Sequence, residues 1–223
     1  MSSFCDEMWV QCKHIAEEGY QTAFIQGICK GTLDPTSYSG FMNQDIAYVF
    51  KAAELFDTVA TRAKDEDLKM FARNRQQSFL RCANEMCEKF FIQDPSAIRV
   101  GETLEEYCQY LHRVANGMDP LYFMVAMIPC SKLWPWLARK MQHSEVNPNL
   151  YGFWAKENMS DSCSAKLESF VAERVSELDE QTSLLVYQTC MTAEVNFFKS
   201  ATGEEISDIS NLTAKLPVRL ASA

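Results

Sequence analysis

The sequence predicts an all-α protein, a globular bundle of long helices with mostly short connections. Apolar residues recur through most of the chain at the three- and four-residue spacing of one helix face. The 223 residues include only 8 Gly and 7 Pro, so residues that break helices are sparse. No segment shows the apolar–polar alternation of a half-buried strand. We expect one helical domain over residues 1–203 and a polar, loosely ordered C-terminal tail over residues 204–223.

The N-terminal part of the chain predicts three helices. The first spans about residues 3–18, and its Ser3-x-x-Asp6 pattern resembles a capping box. A shorter helical piece ends near Gly31, a suitable C-cap. The Asp-Pro pair at residues 34–35 then begins a long helix, with Asp as N-cap and Pro at the first helical position. Its inward stripe consists of Phe41, Asp45, Tyr48, Ala52, Leu55, Phe56 and Val59.

The middle of the chain predicts two amphipathic helices. The first spans about residues 65–91 and is followed by a loop at residues 94–101. Thr103-x-x-Glu106 has the form of a capping box and is expected to begin the second. The inward stripe of that second helix consists of Leu104, Tyr107, Leu111 and Val114.

A largely apolar helix follows the Asp-Pro pair at residues 119–120. Its first half is apolar nearly all round, which predicts burial. Pro129 and Pro135 each remove a backbone donor and bend the helix, and Cys130 directly follows the first bend. The longest apolar run, residues 121–128, is far too short to span a bilayer.

The C-terminal part predicts a loop at residues 146–150 and a short helix at residues 153–158. Two longer helices are expected over residues 161–178 and 181–200. The stripe of the last helix consists of Leu184, Tyr187, Met191, Glu194 and Phe198.

Composition narrows the classes of partner. The net charge is −9 and the pI about 4.9, which argues against nucleic acid and against an anionic membrane surface. Nine cysteines form an odd set without a C-x-x-C pair, which is typical of reduced thiols in a cytosolic protein. The N-terminus has no basic and apolar segments of a signal peptide. We therefore expect a cytoplasmic protein.

Three residues break the hydrophobic pattern: Asp45 and Glu194 lie on otherwise apolar stripes, and Cys130 follows a proline in an apolar helix. A carboxylate at a core position costs several kcal/mol unless it is paired or hydrogen-bonded. Tyr48, one turn from Asp45, and Tyr107 are candidate partners. The structural alternative is that each acid is satisfied by packing contacts and that the cysteine is inert, which periodicity alone favours.

Other chemistries have less support. The sequence contains no H-E-x-x-H pattern, no glycine-rich nucleotide-binding loop and no G-x-S-x-G elbow. We expect neither a cofactor nor a metal. His14 is a conceivable haem ligand, although a lone helical histidine is more often an ordinary surface or core residue.

Four segments together resemble the TenA family of thiaminase II enzymes. FIQGICKGTLDPTSYSGFMNQDIAYVF resembles the opening segment of the family and places Gln44, Asp45 and Tyr48 on its Q-D-x-x-Y motif. EYCQYLHRV places Tyr107 on a pocket tyrosine, and AMIPCSKLWPWL places Cys130 on the nucleophile. AEVNFF resembles the last-helix motif, with Glu194 on the catalytic acid and Phe197 on a substrate-contacting position.

The resemblance implies a haem-oxygenase-like fold without haem, assembled as a homotetramer or homodimer. It implies cleavage of thiamine, or of a 4-aminopyrimidine derived from it, at the methylene bridge through a covalent Cys130 adduct. Glu194 would act as general acid or base, Asp45 would anchor the aminopyrimidine, and Tyr48 and Tyr107 would orient these groups. These side chains would then converge on one enclosed cavity.

The chain departs from the family pattern at positions that bear on specificity. Trp134 and Asn158 stand where the family has tyrosines, and Thr22-Ala23 stands where it has His-Pro. Trp134 and Asn158 would change the shape and hydrogen bonding of the pyrimidine pocket. The second nucleophile stays open, since water gives hydrolysis whereas an amine or thiol gives base exchange. A binder of thiamine or pyrimidine without turnover is a further alternative.

Overall fold

The computed structural model describes residues 3–142 and 149–214, and every regular element there is helical. This confirms the all-α prediction. The α-helices are α1 (Phe4–Gln21), α2 (Ala23–Lys30), α3 (Pro35–Arg62), α4 (Glu66–Lys89), α5 (Glu102–Gly117), α6 (Pro120–Ala126), α7 (Ile128–Gln142), α8 (Gly152–Glu157), α9 (Ser162–Ala172), α10 (Glu180–Ser200) and α11 (Ser210–Thr213). Short 3-10 turns occur at Pro95–Ala97 and Val175–Glu177.

The described residues divide into two compact units. Unit 1 comprises residues 3–38, 124–142 and 149–214, and unit 2 comprises residues 39–123. The expected loop at 146–150 and the tail at 204–223 lie partly outside the described residues. Within the described part of that tail, Ser207 exchanges two hydrogen bonds with the Asn196 side chain of α10.

Several helix ends form as their local sequence predicts. The Ser3 side chain accepts from the Asp6 amide and the Asp6 carboxylate accepts from Ser3, which completes the capping box. Gly31 ends α2 in the left-handed conformation, at φ 67°. At the start of α6, an Asp119 carboxylate oxygen accepts from the Leu121 amide at 2.9 Å. Local side-chain chemistry therefore fixes these boundaries.

The start of α5 differs from its prediction. The helix begins at Glu102 with Gly101 as N-cap, so Thr103-x-x-Glu106 lies inside the helix and is not a capping box. The reason is the Gln44 side chain of α3, which accepts from the Gly101 amide at 2.8 Å and donates to the Arg99 carbonyl at 2.9 Å. A side chain distant in sequence thus fixes the loop before α5.

The helix expected over residues 161–178 is shorter in the structure, because α9 ends at Ala172. Arg174 lies just beyond this end. Its guanidinium donates to the Phe170 carbonyl at 3.3 Å and lies 3.9 Å from the centroid of the Phe170 ring. This contact satisfies a carbonyl of the last turn, and the chain continues as a 3-10 turn.

The apolar segment after residue 120 forms two helices, with Met127 between α6 and α7. Pro129 lies in the first turn of α7, where a missing amide N–H is tolerated, and Pro135 lies inside α7. By length and apolar composition, Pro120–Gln142 alone among the helical segments of the described residues could cross a membrane. In the structure 67% of its most apolar window is buried, as in the core helix of a globular protein.

The core of unit 1 forms around α10, which packs against α1, α2, α7 and α11. Its Phe198 ring stacks on Phe24 of α2 at 5.9 Å between centroids. Helix α7 also packs against α8 and α9. The burial of both flanks of α7 fixes the direction in which its side chains project.

The core of unit 2 contains the inward stripe of α3, and all seven residues expected there are buried. Phe56 contacts the rings of Phe79 and Phe123 at 5.2 Å and 5.1 Å between centroids. The Arg62 guanidinium donates to the Ala115 carbonyl and so joins the end of α3 to α5.

Candidate active site

Cys130 lies in the first turn of α7, where Pro129 leaves the preceding turn without an amide donor. Its thiol is half-buried and donates to the Met127 carbonyl oxygen at 3.3 Å. Like the other eight cysteines of the chain, Cys130 is not in a disulfide. The structure thus shows a partly accessible thiol, outside any disulfide, in the first turn of α7.

Trp134 lies one helical turn after Cys130 and therefore on the same face of α7. Its indole Nε1 donates to Glu194 Oε2 at 3.0 Å, across the contact between α7 and α10. Glu194 is 1% exposed, as expected from its place on the apolar stripe. The hydrogen bond helps to offset the cost of burying this carboxylate.

Two aromatic rings fix the position of the Trp134 indole. Trp154 of α8 stacks on it at 5.3 Å with an interplanar angle of 26°, and Phe198 of α10 contacts it at 5.6 Å. Trp154 and Phe198 were not among the site residues predicted from the sequence. Phe198 is one turn from Glu194 on the same stripe, which is the signal that could have found it.

Two other predicted residues of unit 1 have different surroundings. Phe197 is buried, but its neighbour Phe198 makes the ring contact with Trp134. Asn158 ends α8, and its side-chain amide donates to the Trp154 carbonyl at 2.9 Å. Asn158 therefore caps the helix that carries Trp154. Substrate contacts by Phe197 and Asn158 stay predictions.

The remaining predicted residues lie in unit 2, on α3 and α5. Asp45 is 8% exposed, and Tyr48 follows three residues later on the same helix. The rings of Tyr48 and Tyr107 stack at 5.3 Å, and their hydroxyl oxygens lie 3.4 Å apart. The structure thus brings Tyr48 and Tyr107 together within this unit. The convergence of all the predicted residues on one cavity stays a prediction.

Comparison with known proteins identifies the family. A model described as the TENA/THI-4/PQQC family matches residues 9–215. The chain belongs to this family.

Two characterised relatives of this TenA-family chain act on pyrimidines, as their names state. An aminopyrimidine aminohydrolase of Halalkalibacterium halodurans is 25% identical over 167 residues, which cover 71% of this chain and 75% of that protein. A hydroxymethylpyrimidine/phosphomethylpyrimidine kinase of Saccharomyces cerevisiae is 22% identical over 198 residues, which cover 80% of this chain and 35% of the kinase.

Solved structures confirm the haem-oxygenase-like fold of the TenA family. A TenA homologue from Pyrococcus furiosus superposes with a TM-score of 0.76 at 14% identity, over 89% of this chain and 99% of that one. A second homologue, from P. horikoshii OT3, has a TM-score of 0.73 at 15% identity, over 89% and 98% of the two chains.

The cysteines of this TenA-family protein differ in their surroundings. Burial raises the pKa of the Cys190 thiol well above its ordinary value, and the Glu194 carboxylate raises it further. Burial also raises the pKa of Cys5 to about 12, of Cys12 to about 11 and of Cys108 to about 12. These four thiols belong to the core, and Cys130 is distinguished from them by its partial exposure.

The structure gives no support to a haem ligand at His14. The residue is exposed on α1, and its Nδ1 lies 3.0 Å from the Gln11 carbonyl of the same helix. Among residues 3–142 and 149–214, no group of three or more His, Cys, Asp and Glu side chains could hold a metal ion.

Proposed function

We propose that this protein hydrolyses a 4-aminopyrimidine derived from thiamine, or thiamine itself, at the methylene bridge. The observation that carries the proposal is the arrangement on α7. A half-buried thiol lies one turn before an indole that hydrogen-bonds a fully buried carboxylate. The aminopyrimidine aminohydrolase from H. halodurans supports the same class of substrate.

The proposed reaction uses Cys130 as a covalent nucleophile. Its sulfur forms a bond to a carbon of the pyrimidine ring, and a ring nitrogen takes up the displaced electron pair. The bond between the methylene carbon and its substituent then breaks, and the substituent leaves with the electron pair. Water adds to the methylene carbon, and expulsion of the thiolate restores the aromatic ring. Glu194 transfers protons during these steps.

Asp45 is proposed to bind the amino group of the pyrimidine. A buried carboxylate is an acceptor that matches the exocyclic N–H and the protonated edge of such a ring. Tyr48 and Tyr107 are proposed to orient the bound ring through their hydroxyl groups, and their mutual stacking restricts both side chains. Trp134, Asn158 and Phe197 complete the proposed set of substrate-binding residues.

The test is incubation with thiamine and with aminomethyl-pyrimidine, each with and without pyridine, followed by mass spectrometry of the products. We expect a hydroxymethyl-pyrimidine product that incorporates oxygen from labelled water. Cys130→Ser should abolish turnover, whereas Cys163→Ser, at another half-buried thiol, should retain it. Equal turnover by wild type and Cys130→Ser would exclude the covalent mechanism.

Two alternatives give different results in the same experiment. A pyridine adduct would show base exchange in place of hydrolysis. Trp134 and Asn158 motivate the second alternative, a binding protein without turnover, because both stand at positions where the family pattern has tyrosine. Calorimetric binding of thiamine together with unchanged substrate would identify that case.

A cytoplasmic location and a homo-oligomeric state, tetramer or dimer, complete the proposal. Reduced cysteines in all nine positions accord with a reducing compartment. Sedimentation equilibrium of the full chain, 25.5 kDa per subunit, tests the assembly directly. A single species at the monomer mass would exclude it.

A further inference from the structure

In the hydrogen bond between Trp134 and Glu194, the donor and the acceptor cannot exchange roles. An indole N–H can donate a hydrogen bond, but it can neither accept one nor titrate in the working range of a protein. Glu194 Oε2 is therefore the acceptor in the 3.0 Å contact. A hydrogen bond from a neutral donor to a carboxylate is charge-assisted and favours the ionised acid.

The position of this donor is fixed by packing. The Trp134 ring lies against Trp154 and Phe198, at 5.3 Å and 5.6 Å between centroids. Rotation of the indole away from Glu194 would give up both aromatic contacts. The carboxylate consequently faces a donor that is oriented before any ligand binds.

We propose that Trp134 is a positioning residue that holds Glu194 as an oriented carboxylate in the resting enzyme, so that Glu194 acts first as a base. The order of proton transfers rests on the function proposed above. In the resting state the Cys130 thiol donates a hydrogen bond to the Met127 carbonyl oxygen at 3.3 Å. As the sulfur attacks, Glu194 takes the thiol proton on Oε1 and later gives it to an amine leaving group, whereas the thiazole of thiamine leaves with the electron pair and needs no proton.

Tyrosine at position 134 would act differently from tryptophan. A phenol can donate to a carboxylate, but it can also accept from a protonated acid, so it permits both states of Glu194. Tryptophan can only donate, and its hydrogen bond to an ionised carboxylate is stronger than one to the carbonyl oxygen of a protonated acid. The departure of this chain from the family pattern at Trp134 therefore favours the ionised state of Glu194.

Several titratable side chains lie on the described elements packed around Glu194. Cys190 precedes it by one turn on α10, and α7 carries Cys130. Helix α1 contributes Cys5, Cys12 and Asp6, and α9 contributes Glu168, which is paired with Lys132; these four lie near Tyr187, two turns from Glu194. The raised pKa values of Cys190, Cys5 and Cys12 leave these three thiols uncharged below about pH 9. Their charge therefore does not change during a titration in the acid range.

The first experiment is independent of activity. The protein contains four tryptophans, so 15N-indole labelling gives four resolvable N–H signals that single Trp→Phe variants assign. We expect the Trp134 signal to lie downfield, to titrate in the acid range in the wild type and to lose that titration in Glu194→Gln. A Trp134 signal unaffected by Glu194→Gln overturns the proposal.

The second experiment is kinetic. In Trp134→Phe we expect kcat to fall by roughly 10- to 100-fold, the effect of losing one charge-assisted hydrogen bond. KM should change little, because phenylalanine keeps an aromatic ring at the proposed substrate-binding position. The acid limb of the pH profile should move to higher pH, and Trp134→Tyr should recover part of kcat. The matched control is Trp136→Phe, which should keep wild-type kcat. Trp136 is a half-buried indole of the same helix, and its ring contacts Trp9 of α1 at 5.7 Å between centroids.

Different results would contradict the proposed function and the positioning role of Trp134. A wild type that consumes no pyrimidine contradicts the proposed function, while the indole titration still decides whether Trp134 controls Glu194. An active enzyme whose kcat and pH profile are the same in Trp134→Phe contradicts the positioning role alone.

Discussion

Individual cysteine side chains in this protein fall into two groups, set by their burial. Cys82 is exposed, and Cys130 and Cys163 are half-buried. Cys5, Cys12, Cys108 and Cys190 are buried, and burial raises their pKa values. Because the thiolate is the reactive form, the two groups should differ strongly in reactivity near neutral pH.

Alkylation by iodoacetamide at about pH 8 tests this difference. We expect Cys82, Cys130 and Cys163 to be modified first, and Cys5, Cys12, Cys108 and Cys190 to react only after denaturation in urea. Peptide mass spectrometry at successive times gives the rates. A bound aminopyrimidine should protect Cys130 and leave Cys82 unchanged. Modification of Cys12 as fast as Cys82 would contradict the assignment of Cys12 to the core.

The residues that could be predicted from sequence are those that violate a helix stripe. Asp45 and Glu194 were identified in this way, and both are buried. The indole–carboxylate hydrogen bond could not be predicted, because Trp134 and Glu194 are 60 residues apart and meet only through packing of α7 on α10. Trp154 was missed for the same reason, since its partner ring belongs to another helix.

At the scale of elements, the start of α5 shows where local rules fail. The Thr103-x-x-Glu106 pattern satisfies the capping-box rule, yet the Gln44 side chain of α3 sets the boundary. Capping rules describe only groups close in sequence, whereas Gln44 is 57 residues from Gly101. By contrast, the Ser3–Asp6 box has no such competitor and was predicted correctly.

This explanation predicts opposite results for two substitutions. Gln44→Ala removes hydrogen bonds to Gly101 and Arg99 and should lower the free energy of unfolding by about 1–2 kcal/mol. Thr103→Ala, which removes only the hydroxyl of the supposed cap, should change it by less than about 0.5 kcal/mol. Urea denaturation followed by circular dichroism measures both. A larger decrease in the free energy of unfolding for Thr103→Ala than for Gln44→Ala would show that Thr103 does cap α5.

For the whole molecule, the buried thiols connect stability to alkaline pH. Their ordinary pKa is 9.0, and in the folded protein those of Cys5, Cys12 and Cys108 rise to about 12, 11 and 12. Between pH 9 and these raised pKa values, the three thiols stay protonated in the folded protein but lose their protons in the unfolded chain. The free energy of unfolding should therefore fall as the pH rises above about 9.

The slope of stability against pH isolates this contribution. Urea unfolding at intervals from about pH 8 to 11 should show a shallower decline in Cys12→Ala than in the wild type. The control Cys82→Ala, at an exposed thiol, should keep the wild-type slope. The absolute stability of Cys12→Ala will be lower because of lost packing, so only the slope decides. Equal slopes in all three proteins would contradict the raised pKa of Cys12.

The fold class could be predicted for the whole molecule because helical periodicity and few breakers are properties of the entire chain. The division into two compact units could not, because the chain leaves and re-enters unit 1 within the helices α3 and α6. Both crossings lie inside a helix, so no break in secondary structure marks them in the sequence.

Pro129 separates α6 from α7, since it offers no amide to the Val125 carbonyl. Pro129→Ala would supply an amide that can donate to the Val125 carbonyl, and would favour one continuous helix through α6 and α7. We expect this substitution to raise the melting temperature by a few degrees while kcat falls, because joining α6 to α7 would shift the Cys130 thiol from its present position. Calorimetry gives the melting temperature, and a turnover assay on the same sample gives kcat. Efforts to increase the thermal stability of the protein should therefore keep Pro129.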